Sequence, residues 1–399
     1  MEASLYVHVP LCHGKCDYCD FYSVPVKPGS SLPEHYVSTL LADAERLFEK
    51  LCQETSDPLD RFPTVYIGGG TPSVLGPEGM LRLLKGISSL VARVSPPPME
   101  FTVEANPETA DEAFLAAIRE GGATRLSLGV QTSYGPSRRA VHRIGDEALL
   151  PGRLALAAEY FPGAFSADLI SGLPLQSEKI LLDDVAALAS YKPAHVSLYA
   201  LTLKPGSSLA VPDRDEADRL WISGRDALEK SGYTQYEVSN FSLKGKESLH
   251  NIRYWRMKNW LALGPAASGT IIKSEGRTGF RYTIPADINA WLAEGGSGFF
   301  QEPGLVPVTE ELDAITLMRE MFLMGFRYIE GPDEESFQRR FCRSIGDVIP
   351  TTLSVWRSRS FLQKDKYALT KEGLLFLDPF LLEAFREIDE SFSESNTAE

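Results

Sequence analysis

The stretch that decides the reading runs "SLYVHVPLCHGKCDYCDFYS", from Ser4 to Ser23. It opens on a short apolar run rich in Val and Tyr, Ser4–Val9, the pattern of a β-strand. The loop after it packs three cysteines into eight residues, spaced C-x3-C-x2-C: Cys12, Cys16 and Cys19. Only Cys52 and Cys342 occur elsewhere in the 399 residues. A strand followed by a chemically unusual loop is the unit from which the rest of the chain is built.

"TVYIGGG" repeats it, with a strand at Thr64–Ile67, then glycines, then a helix near Gly76–Val94. "MEFTVEANPE" gives a strand to about Ala105 and a helix near Ala110–Arg119. "TRLSLGVQ", "FSADLISGLP" and "AHVSLYAL" supply three more strands. Further helices are expected at Leu32–Cys52, Ala148–Tyr160, Glu178–Tyr191 and Arg214–Lys230. Strands alternating with helices indicate right-handed crossovers and a parallel sheet. Six such units in about 200 residues fit an α/β fold, a partial, TIM-like (β/α)6 barrel.

Polar and glycine residues collect at the carboxyl ends of these strands. The cysteines follow strand 1, Gly69, Gly70 and Thr71 follow strand 2, and Glu104 ends strand 3. Gln131 ends strand 4, Arg143 lies in the segment after it, and Asp168 sits late in strand 5. In barrels of this kind that rim carries the active site. Each of these residues could instead be an ordinary barrel polar group, and the glycines alone could be a turn. No Gly-Lys-Ser/Thr follows them, so they do not form a P-loop.

Beyond about Val306 the pattern turns helical. Thr309–Phe326 is strongly periodic, and Glu334–Phe341 and Ile349–Arg357 follow. The expected division is a barrel over 1–300, a small C-terminal helical domain of winged-helix type over 301–388, and a disordered tail over 389–399.

The bulk numbers bound the function. Formal charge is −14, and no Lys/Arg stripe marks a nucleic-acid footprint. No apolar run approaches the roughly 20 residues that cross a bilayer, and MEASLYVHVP does not read as a signal peptide. A cytoplasmic protein with no stable membrane insertion is expected. There, clustered cysteines are more often metal-binding or catalytic than disulfide-bonded.

Three thiolates from one loop can hold metal in two ways. A structural zinc site wants four closed ligands, and His13 is poorly placed to be the fourth. A [4Fe–4S] cluster with one iron left open wants three. Both readings stand on the residues alone.

Together the motifs resemble the radical SAM superfamily. C-x3-C-x2-C after strand 1, "YIGGGTPS", "VEANPE", "LSLGVQT", "DLISGLP" and "YWRMKNWLALG" are similar to its coproporphyrinogen III oxidase-like branch, from about Leu5 to Leu382. The resemblance implies that Cys12, Cys16 and Cys19 hold a [4Fe–4S] cluster. It implies that Tyr6 and Tyr18 flank bound S-adenosylmethionine (SAM), and that Gly69, Gly70 and Thr71 hold its methionine end. Glu104, Gln131, Arg143 and Asp168 would be further contacts. The implied chemistry is one-electron reduction of SAM to methionine and a 5′-deoxyadenosyl radical, with a flavodoxin- or ferredoxin-type reductant.

Within the branch, the oxidase carries a longer N-terminal extension and a further cysteine two residues after the third. Here Phe21 holds that position. Both differences resemble the heme-chaperone members, which bind heme and pass it to target proteins. "HNIRYW", His250–Trp255, matches their H-N-x-x-Y-W element, which implies His250 as a heme ligand. An imidazole beside two aromatic rings can serve as an axial ligand with a stacking wall. The same residues can equally be core, with His250 merely hydrogen-bonded. Ser268 stands where those relatives usually have a histidine, and Gly145 stands at another such position. Productive SAM cleavage is left open, and porphyrinogen dehydrogenation is not expected.

Overall fold

The computed structural model describes residues 1–53, 58–203, 207, 209–273, 276–298 and 307–396. Six strands form its centre: β1 Ser4–Val9, β2 Thr64–Gly69, β3 Glu100–Ala105, β4 Arg125–Gln131, β5 Phe165–Ser171 and β6 His195–Ala200. They pair in chain order and are all parallel. The helices that follow them are α1 Leu32–Gln53, α2 Gly76–Ala92, α3 Glu112–Glu120, α4 Leu150–Tyr160, α5 Glu178–Ser190 and α6 Arg214–Lys230. Side chains of Asp111, Ser177 and Asp213 cap α3, α5 and α6 by accepting from backbone N–H groups of the first turn.

The sheet is extended at both ends. β7 Asn240–Ser242 runs antiparallel to β6, and β8 Trp260–Leu263 runs parallel to β1. β9 Ser268–Ile272, β10 Gly279–Thr283 and β11 Val308–Leu312 continue antiparallel beyond β8. Among the described residues the sheet has two edges, so the barrel stays open.

Parallel strands covered on both faces usually read as unbroken apolar runs. Here the two faces differ. Val65, Ile67, Val103, Leu126, Leu128, Ala167, Val196 and Leu198 are fully buried in the main core, with helix residues such as Leu83 and Leu181. The alternate positions are polar and lie in shared register rows. Tyr66 pairs with Thr102, Glu104 with Ser127, Gly129 with Asp168, and Asp168 with Ser197. The concave face of the barrel is therefore a polar surface on an apolar scaffold, ready to hold a charged ligand.

A second core gathers α8 Ala314–Gly325, α9 Glu334–Phe341, α10 Pro350–Ser358 and α11 Leu377–Asn396 around Phe322, Phe326, Phe337, Trp356 and Phe380. Met257 and Ile272, from the sheet portion, also belong to it. The expected boundary at 300/301 lies outside the described residues. Two other expectations are corrected. Residues from Thr309 do not start a helix, because Val308–Leu312 pairs with β10 from Thr283 back to Gly279. The helix begins only after Asp313, whose carboxylate accepts from Thr316 N at 2.7 Å. The segment from Asp389, expected to be disordered, continues α11 as far as Asn396.

Candidate functional site

The cysteine loop is folded by short-range contacts. Leu11–Cys12 pairs with Val24–Pro25, closing the loop at its base. Cys19 N donates to Cys16 O at 3.1 Å, and Asp17 N donates to Val141 O at 3.1 Å. Cys12 Sγ lies 2.9 Å from Gly14 O and 3.2 Å from Thr71 Oγ1. His142 Nδ1 meets Asp17 Oδ2 at 2.9 Å, tying the loop to the segment after β4. Burial pushes the Cys19 thiol up. Among the described residues no three His, Cys, Asp or Glu side chains are grouped to hold a single metal ion.

All three cysteines line one cavity of about 400 Å3 at the carboxyl ends of the strands. Tyr18, Gly69, Gly70, Thr71, Glu104, Gln131, Arg143 and Asp168 line it too. Residues spread over more than 150 positions thus meet at one place, as strand-end loops of a parallel barrel must. Two expected residues do not reach the cavity wall. Tyr6 sits on β1, its hydroxyl 2.9 Å from His8 Nδ1 and its ring 6.2 Å from that of Tyr66. His250 is at the other end of the barrel.

The cavity floor is acidic. Glu104 accepts from Tyr66 Oη at 2.5 Å and from Gly69 N at 3.1 Å. Burial pushes its carboxyl up to about 7, against those hydrogen bonds. Burial likewise pushes Asp168 up to about 6, opposed by the Ser197 hydroxyl and the Arg143 and Arg125 charges. One wall is cationic. Arg143 Nη2 donates to Gly129 O at 2.5 Å and to Asn106 Oδ1 at 2.9 Å, while Nη1 lies 4.0 Å from Cys16 Sγ. Burial works against this charge, and Tyr18, Glu108 and Cys16 hold it in place.

The segment carrying Gln131 and Arg143 is strained and stapled. Gln131 adopts a positive φ of 68° at a register shift between Gly129 and Gln131, a conformation that persists only where its surroundings over-determine it. Arg138, 1% exposed, donates to Val130 O at 3.0 Å, Thr132 O at 3.2 Å and Ile144 O at 3.2 Å. Asp184 of α5 accepts from Thr132 Oγ1 at 2.6 Å and Ser133 N at 2.8 Å. Asn106 joins the halves, donating Nδ2 to Thr71 Oγ1 at 3.1 Å while accepting from Arg143. Sequence reasoning missed all three residues. Asn106 had a signal, an Asn-Pro pair two residues past Glu104; Arg138 and Asp184 had none.

The donor set fits a cluster and a small charged cofactor. Three thiols reach one cavity, and two atoms near it, Gln131 Oε1 and Arg143 Nε, are buried without a partner. At Gly70 a Cβ would come within 2.6 Å of Leu11 O, so only glycine lets the backbone line the cavity there.

His250 lies in α7, Leu249–Trp255. Glu100 accepts from the N–H groups of Leu249 and His250 at 3.0 Å each, an anion at a helix N-terminus. The ring is 1% exposed. Its Nδ1 lies 2.8 Å from Thr64 Oγ1 and its Nε2 3.2 Å from Tyr254 Oη. Burial drives it down to about 3, so it is neutral. Both ring nitrogens are thus engaged within the core. Ser268 bonds Tyr282 O at 3.1 Å and Thr283 Oγ1 at 3.0 Å within the sheet.

Residues 6–187 match the Radical SAM superfamily. The chain is 30% identical to the heme chaperone HemW of Escherichia coli (strain K12), over 96% of this chain and 97% of that protein. It is 30% identical to the Radical S-adenosyl methionine domain-containing protein 1, mitochondrial, of Mus musculus, over 98% and 89%. Among solved structures, coproporphyrinogen III oxidase (HemN) of Escherichia coli shares the fold, with a TM-score of 0.79 at 18% identity over 96% of this chain and 90% of that one. No helix among the described residues is long and apolar enough to cross a membrane. With the strand-end cavity, the cysteine loop and these likenesses in agreement, the chain belongs to the radical SAM superfamily, in the family of the heme chaperone HemW.

Proposed function

We propose that this protein holds a [4Fe–4S] cluster on Cys12, Cys16 and Cys19, binds SAM in the adjoining cavity, and acts as a heme chaperone that hands heme to a target protein. The observation that carries the reading is convergence: three thiols, one guanidinium and three carboxylates, Asp20, Glu104 and Asp168, face a single cavity. When bound, the cluster supplies chemistry no side chain has, one-electron reduction at an iron open to a chelating ligand. The chain's own residues bind and orient. Arg143 is the partner for a carboxylate, through its fixed charge and the donors its Nη2 bonds leave over. Glu104 and Asp168 are the partners for a cation or for ribose hydroxyls. Thr71 and Asn106 keep Cys12 and Arg143 in one frame. Burial of this wall excludes water and strengthens every charge in it.

Heme is proposed as cargo because relatives matched over nearly their whole length carry the name heme chaperone. Phe21, two positions past Cys19, supports the same side of the branch. The cysteines at 12, 16, 19 and 342 are free thiols, which suits a reducing compartment, and we infer the cytoplasm. A flavodoxin- or ferredoxin-type reductant would feed the cluster.

The test is hemin titration into the anaerobically reconstituted protein, followed at the Soret band. Saturation near one heme per chain, with transfer to an apo-hemoprotein, is expected. Absence of specific binding would overturn the chaperone reading and leave a radical oxidoreductase.

A further inference from the structure

A second cavity, of about 440 Å3, opens where the sheet meets the C-terminal helices. Its wall includes Met257, Lys258, Ile272, Lys273, Arg339 and Arg340. Four of these six are cations, in a chain whose formal charge is −14. The acid beside them, Glu2, is already occupied by Arg253 Nη1 at 2.8 Å. The carboxylate nearest Lys258, Asp333, stands 3.7 Å away and accepts instead from Ser336 N and Oγ. Among the described residues, the carboxylate paired with these four cations is Asp333, through Lys258.

Arg340 is held in place. Its Nη2 donates to Met257 O at 3.1 Å. Its stem lies against Gly276, where a Cβ would come within 2.8 Å of Arg340 Cγ. Its other terminal nitrogen, Nη1, is buried and has no partner. A buried donor without an acceptor is costly, and an anionic ligand would supply the acceptor. Met257 and Ile272, which belong to the second core and are buried, back the wall behind the cations. The cavity begins two residues after Trp255, the last residue of the HNIRYW segment.

We propose that this cavity receives the carboxylate edge of the cargo, an apolar body carrying paired carboxylates, as heme does through its propionates. The carboxylates meet Arg340 Nη1 and the rim cations Lys273 and Arg339. An edge held this way leaves the rest of the macrocycle outside, where an acceptor can take it. The proposal rests on the heme-chaperone reading above.

The experiment titrates hemin and hemin dimethyl ester, whose carboxylates are masked, into the reconstituted full chain and its K273Q/R339Q variant. Both replaced side chains are exposed, so the fold is retained; R339E is a second, single-site variant. The wild type is expected to bind the ester about tenfold more weakly than hemin, and the double variant to bind hemin about tenfold more weakly and lose the preference. Hemin affinity and preference unchanged in both variants would overturn the site while leaving the chaperone reading standing. No hemin binding by the wild type would overturn the chaperone reading, and the site with it.

Discussion

Arg143 Nη1 lies 4.0 Å from the sulfur of Cys16, across 127 positions of chain. The proximity places a fixed cation beside the loop proposed to carry the cluster, with its remaining donors turned along the cavity wall. Arg143→Ala is expected to keep the iron but lose at least about tenfold in SAM affinity, the scale of one charge-assisted contact. Arg143→Lys should recover only part of it, since an ammonium lacks the fork. Iron analysis beside calorimetric SAM binding checks both halves.

SAM binding should depend on pH through Glu104 and Asp168. Burial raises the first to about 7 and the second to about 6. Below these values both are protonated and attract no cation. Affinity for the sulfonium is therefore expected to rise as pH climbs through about 6 to 7. Glu104→Gln should remove the upper part of that rise. Calorimetry across the range reads it directly, and a flat profile would show that neither carboxylate senses the cofactor's charge.

Arg138 touches no cavity surface; it positions the loop that does, through backbone carbonyls on both sides of the strained Gln131 turn. Arg138→Leu is expected to lower SAM affinity more than it lowers the affinity for hemin, with iron retained. Equal losses in both, tracking a fall in melting temperature, would mark the residue as merely structural.

How far the sequence could be read follows from these residues. The βα alternation, the strand-end loops and their order are local patterns, and each lies within a few positions of where it was expected. So does the cavity's donor set, because strand-end residues of a parallel barrel converge wherever the strands do. Arg138 and Asp184 could not be read, since a buried charge looks like a surface one until its carbonyl or hydroxyl partners are known. Thr309–Leu312 reads as the start of an amphipathic helix because only pairing with Gly279–Thr283 makes it part of a strand. His250 carried a motif without a location: its partners Thr64 and Tyr254 decide that it lies in the core.

His250→Ala is accordingly expected to cost about 1–3 kcal/mol of stability, by leaving the buried Tyr254 hydroxyl without its partner and a gap in the core, with hemin affinity unchanged. The folded ring titrates at about 3, below its ordinary value near 6.5. The unfolded chain therefore takes up a proton first. The stabilisation is full above about 6.5 and declines as pH falls toward 3. Denaturant melts of wild type and variant should thus converge on acidification; a gap independent of pH would contradict a neutral, buried ring.

The central claim is that the loop Cys12–Cys19 holds a cubane with one iron open to SAM. Anaerobic reconstitution, iron and sulfide analysis, and electron paramagnetic resonance of the reduced protein with and without SAM test it most directly. The account predicts about four irons and four sulfides per chain, a spectrum that changes when SAM is added, and loss of the signal in Cys16→Ser. Stoichiometric zinc without iron, or a cluster signal that persists intact in Cys16→Ser, would contradict it.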